Sequence, residues 1–92
     1  MAHTVIRKAS RYVIDVDGAE AGYAEFVDRR DGVRDFNHTV VDPAFRGQGL
    51  SKPLISAALE ATRAEGKKVI PTCSAVQAFI EKNPEYRDLI EG

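Results

Sequence analysis

The chain has one cysteine, one methionine and no tryptophan among its 92 residues. A lone cysteine excludes an internal disulfide framework and a multi-cysteine zinc site. No apolar run approaches the roughly 20 residues that a membrane-spanning helix needs. No signal-like apolar segment follows Met1, and with the single thiol this predicts a cytoplasmic chain with no membrane partner. An excess of charge is also lacking, with 13 Lys and Arg against 14 Asp and Glu. Nothing resembles the basic stripe that dominates nucleic-acid binding. Arg29, Arg30 and Arg34 do cluster, but Asp28, Asp31 and Asp35 interleave with them, which reads as a solvated hairpin tip. His3 and His38 are isolated, so no metal-ligating set is visible. The hydrophobic share, 43%, is enough for the core of one small domain spanning residues 1–92.

The first half carries a strand pattern. Tyr12, Ile14 and Val16 alternate with Val13 and Asp15, the period of a half-buried strand. Asp17-Gly18 supplies a turn, a second strand runs from about Gly22 to Val27, and Asp31-Gly32 turns the chain into a third strand over 33–41. After Pro43 the period changes. Leu50, Leu54, Ala57, Ala58 and Ala61 recur at helical spacing, with Gly66 as the stop. Residues 68–73 read as a short strand, and a helix from Ser74 to about Lys82 ends at Asn83-Pro84. Tyr86 to Ile90 forms a last helical turn, in which Tyr86 is a packing anchor. Strand, helix and strand over 33–73 make one crossover, so these two strands are expected to be parallel. The fold class is α+β, an antiparallel meander continuing into a strand-helix-strand unit.

Between that third strand and its helix stands Arg46-Gly47-Gln48-Gly49. Glycines let a ligand approach free backbone N–H groups, and a helix start adds about half a positive charge. Phosphate or pyrophosphate is the obvious guest, although the same glycines serve a plain turn equally well. The loop is neither a Walker loop nor a dinucleotide fingerprint. Pro53 has no N–H, which predicts a helix beginning near Ser51 as N-cap, with the proline in its first turn.

Val41, Pro43, Arg46, Gly47, Gly49 and Ser51 together resemble the pyrophosphate loop of GCN5-related N-acetyltransferases. The segments His38-Thr39-x-Val41, Ile70-Pro71-x-Cys73-Ser74 and Pro84-Glu85-Tyr86-x-Asp88-Leu89 narrow the likeness to the small YjdJ-type branch. The resemblance implies acetyl-CoA as co-substrate and an amine acceptor, a protein or peptide surface among the candidates. It implies that backbone amides of Arg46, Gly47, Gln48, Gly49, Leu50 and Ser51 hold the pyrophosphate. Main-chain groups around Val40 and Val41 are expected to pair with the pantetheine arm, which requires the two parallel strands to splay. Pro71 suits such a splay or marks the strand end. Larger relatives often carry a tyrosine acid where this chain has Ile80.

Acetyl transfer needs a deprotonated amine and a reprotonated thiolate. Cys73, before a helix start, is a candidate to protonate the departing CoA thiolate or to accept the acetyl group, against the plainer role of a small buried hydrophobe. His38 is expected on the strand face of Phe36 and Val40, as a base, as an orienter of Cys73, or as an ordinary hydrogen-bonded strand histidine. Glu25, Asp35 and Glu81 have no spacing that nominates them. The short stretch before Arg11 predicts an open acceptor groove. The two leading functions are an acetyl-CoA-dependent N-acetyltransferase and a non-catalytic acyl-CoA-binding adaptor; an anion-binding structural module is the third.

Overall fold

Alternation in Tyr12, Ile14 and Val16 sets the inner face of the sheet, and all three are buried. A computed structural model describes residues 3–30, 32–45 and 47–90. Among them, β1 (His3–Arg7), β2 (Arg11–Val16), β3 (Ala19–Asp28), β4 (Val33–Val41) and β5 (Lys68–Pro71) form one sheet in sequence order. The first four strands are antiparallel and β5 runs parallel to β4. Helix α1 (Ser51–Ala64) makes the crossover, α2 (Ser74–Lys82) follows β5, and Pro84–Leu89 closes the described chain as a 3₁₀ segment. The α+β meander with a parallel strand pair is therefore the observed fold. No described helix is long and apolar enough to cross a membrane.

The β2–β3 hairpin turns where the sequence places it, with Asp17 and Gly18 both at positive φ (50° and 88°). That geometry matches the twist of the flanking strands. β1 was not expected. Its burial pattern is exposed except at Val5, so it carries no amphipathic signal and is a strand because β2 pairs with it.

Helix α1 packs Leu54, Ile55, Ala58, Leu59 and Thr62 onto the sheet. Each leucine, at 1% exposure or less, contributes about 1.5–3 kcal/mol by leaving water. Val76 and Ile80 of α2 join the same cluster as Tyr12, Ile14, Ala24, Phe26 and Phe36, so the helices share one side of the sheet. Tyr86 anchors the last segment as expected: it is buried, and its hydroxyl donates to Glu60 Oε2 at 2.8 Å.

The arginine cluster departs from the solvated tip that its sequence suggests. Arg34 is wholly buried, donating to Asp28, Glu65 and the Tyr12 hydroxyl while its guanidinium lies 4.3 Å from the Phe26 ring centroid. Asp35 is buried too, receiving Arg29 and the Thr72 hydroxyl. Both faces of β4 are covered over residues 33–36, so these neighbouring side chains, which point to opposite faces, are each buried and have their charges satisfied by protein partners rather than by water. Asp31 lies outside the described residues.

Candidate functional site: a splayed strand pair beside a glycine turn

The β4–β5 pairing runs from Val33↔Lys68 to Phe36↔Pro71 and stops. Pro71 is the last residue of β5 and has no N–H to extend the ladder. Thr72 N–H donates to Ile70 O, turning the chain, and Cys73 N–H makes the last link to β4, at Phe36 O (2.9 Å). From Asn37 onward β4 keeps β3 on one side and has no β5 partner on the other.

A bulge sits at the same point. Glu25 pairs with His38 and Phe26 with Phe36, leaving Asn37 as the extra residue. One added residue reverses which side of the sheet later residues face. His38 therefore lies on the face of Tyr23 and Val40, not on that of Phe36, which corrects the expected alternation. It is exposed, with its ring 6.2 Å from Tyr23. His38 and Cys73 are not brought together, so the orienting role has no geometric basis.

The bulge also decides which backbone groups face the opening. Asp42 N–H donates to Ala21 O on β3. By alternation Val40 also turns its main-chain groups to β3, whereas Thr39 and Val41 turn theirs to the open edge. Thr39 is a residue the sequence reading missed here, since only the bulge sets the phase.

Cys73 occupies the N-cap of α2 and is half-buried. Its Sγ donates to Thr39 Oγ1 at 3.4 Å. Burial pushes the thiol pKa up, but the Thr39 hydroxyl and the N–H groups of Val76, Ala75 and Thr39 outweigh it and leave the thiol below its ordinary value. Helix-start amides favour an anion at this position. The arrangement stabilises a thiolate at the mouth of the splay.

The glycine turn lies between the end of β4 and the start of α1. Gly47 and Gly49 hold φ of 84° and 68°, and a Cβ at either would meet nothing within 4 Å. Conformation, not space, requires glycine there. Gln48 is exposed and Leu50 is buried; Arg46 lies outside the described residues. The helix starts at Ser51, as Pro53 demanded, although Leu50 rather than Ser51 is the N-cap. The first helical bond is Leu54 N–H to Leu50 O. Pro53 thus stands where an N–H would have had no intrahelical acceptor anyway, and costs no bond. A groove of about 710 Å³ continues from this helix start between α1 and α2, with Lys52, Ser56, Phe79, Lys82 and Asn83 among its walls.

A mixed sheet opened at a bulge, with a glycine turn leading into the crossover helix, leaves a strand edge that an extended ligand can line. The chain belongs to the GCN5-related N-acetyl-transferase family, whose profile matches residues 11–89. Acetyl-CoA is the co-substrate of that family. Among curated proteins the chain is similar to Protein NATD1 of Gallus gallus, 32% identical over 81 residues, covering 85% of this chain and 72% of the relative. In fold it is similar to a GCN5-like protein of Staphylococcus aureus solved by NMR, at TM-score 0.75 and 24% identity, covering 97% of this chain and 88% of that one. It also matches AAC(6')-Iy in complex with the bisubstrate analog CoA-S-monomethyl-acetylneamine, at TM-score 0.56 and 20% identity, over 92% of this chain and 65% of that one.

Proposed function

We propose that this protein is a minimal, YjdJ-type N-acetyltransferase that moves the acetyl group of acetyl-CoA to an amine by way of Cys73. The observation that carries the reading is the placement of Cys73 Sγ, against Thr39 and the α2 start, at the mouth of the β4–β5 splay. The residues present fit the co-substrate. Backbone amides from Arg46 to Ser51 hold the pyrophosphate, in a turn whose conformation Gly47 and Gly49 fix. Thr39 and Val41 offer the pantetheine arm a free strand edge, with Val40 supporting them from the β3 ladder. Lys52 and Lys82, on the α1–α2 groove, suit the nucleotide phosphates.

In the first half-reaction the Cys73 thiolate attacks the acetyl carbonyl carbon. A new C–S bond forms, the bond to CoA breaks, and the CoA thiolate takes a proton from solvent. In the second, a neutral amine attacks acetyl-Cys73, forming the amide and returning the thiolate. The neutral amine gives up one proton as the amide forms, and it passes to water or, by way of water, to the exposed His38.

A lowered thiol pKa suits this nucleophile role, because it raises the thiolate fraction at neutral pH. The alternative, a non-catalytic acyl-CoA-binding adaptor, is favoured by Ile80, which lies in the core where larger relatives often carry an acid. Incubation with acetyl-CoA separates the two. An adduct of one acetyl group on Cys73, discharged by added amine, supports the transferase; acetyl-CoA binding with neither adduct nor turnover supports the adaptor.

A further inference from the structure

Beyond its pairing with β4, the last strand of the sheet has an outer edge whose main-chain groups are already used. Lys68 N–H turns inward to Gly32 O, and Val69 is bridged on the outside by Ile90. Pro71 has no N–H, and its carbonyl accepts Gln77 Nε2 at 2.8 Å. An extended peptide adding itself as a further strand finds no ladder to extend there. What this edge offers a partner is side chains.

Those side chains form a groove of about 520 Å³, lined by Pro71, Gln77, Ile80, Glu81, Arg87 and Ile90. Gln77 and Glu81 stand one helical turn apart on α2 and so share a face. Ile80 is buried, whereas Ile90 is 39% exposed, one of the few large apolar residues left so open among the described residues. Glu81 and Arg87 are exposed, and neither side chain makes an ion pair or hydrogen bond among the described residues. They line one groove with opposite charges yet do not neutralise each other. Their neighbour Asp88 differs, since it is held by both Arg63 terminal nitrogens.

We propose that this groove seats a second copy of the chain in a two-fold dimer. In a two-fold interface one patch meets itself, so that what residue i touches in the copy also touches residue i in return. A patch of one sign repels its own image, but this one carries one charge of each sign around an apolar centre. The two-fold axis brings Glu81 of each copy to Arg87 of the other, with the two Ile90 side chains together over Pro71. Six lining residues fall short of the roughly 20–30 a side of a standard interface, so the dimer belongs to the weak, reversible class. The inference stands apart from the transferase reading, since Glu81, Arg87 and Ile90 do not line the α1–α2 groove given to the co-substrate.

Sedimentation equilibrium over micromolar to millimolar concentrations of the protein is the test. The parent is expected to form a reversible dimer that added salt weakens. Glu81→Arg and Arg87→Glu each set like charges face to face, and each is expected to raise the dissociation constant at least about tenfold. The double variant, with both reversals, restores the two pairs with their signs exchanged and is expected to return to within about threefold of the parental value. Ile90→Asp, which puts charge at the apolar centre, is expected to leave a monomer, with amide spectra confirming that each variant is folded. A parent that stays monomeric at millimolar concentration, a dimer indifferent to either charge reversal or to Ile90→Asp, or a double variant no tighter than the single ones overturns the proposal.

Discussion

Cys73 Sγ lies 3.4 Å from Thr39 Oγ1, joining the start of α2 to the part of β4 that β5 leaves unpaired. Two unrelated features meet there. The sheet opens because Pro71 ends one strand and Asn37 bulges the other, and the sulfur enters the gap together with the amides of a helix start.

The first prediction concerns that sulfur. Iodoacetamide alkylation of Cys73 should show a midpoint below that of an ordinary thiol, in keeping with the donors around it. Thr39→Val removes one of them and should move the midpoint upward, slowing alkylation at neutral pH several-fold. An unchanged profile in Thr39→Val would mean the hydroxyl has no hold on the thiolate.

The glycine turn gives a second. Gly47→Ala and Gly49→Ala place a Cβ at positive φ, a strain of about 1–2 kcal/mol each. Both positions are exposed, so the fold should tolerate them with a small loss in Tm. Calorimetric titration should show acetyl-CoA binding weakened about tenfold by each. Parental affinity in both variants would remove the turn from the binding site.

Stability should depend on a residue far from the chemistry. Arg34→Met deletes a buried cation that Asp28, Glu65 and Tyr12 all use. Removing one partner of such a cluster costs about 2–4 kcal/mol, near the lower end for fully buried pairs because the two carboxylates are partly exposed. Urea unfolding is the measurement; a loss under about 0.5 kcal/mol would place the cluster with ordinary surface pairs.

The same cluster sets a pH dependence. The Arg34 guanidinium holds the Asp28 and Glu65 carboxyls below their usual values. Their contribution is full above the unfolded-state carboxylate pKa of about 4, and is lost as pH falls through the lower folded values. Urea midpoints should thus drop in acid, and the drop should be smaller in Arg34→Met, which has already lost the interaction.

Much of this architecture was legible in the residues, because strands and helices announce themselves by period. The alternation from Tyr12 to Val16, the 33–41 strand and the Pro53-driven start of α1 all needed only local rules. What was hidden depended on pairing between strands. β1 has one half-buried residue and so no pattern to read. The Asn37 bulge is one residue in a ladder, yet it moved His38 to the face opposite Phe36 and selected Thr39 over Val40 at the open edge. Arg34 looked like a surface charge because its partners, Tyr12 and Glu65, are distant in sequence.

The central claim is that Cys73 takes the acetyl group from acetyl-CoA bound in the splay. Intact-mass and peptide analysis after brief incubation with acetyl-CoA, without amine, tests it most directly. The account predicts one added acetyl group, located on Cys73, absent in Cys73→Ser and removed on addition of an amine. An unmodified Cys73 in a protein that nonetheless acetylates amines, or a Cys73→Ser variant with the parental rate, would contradict it.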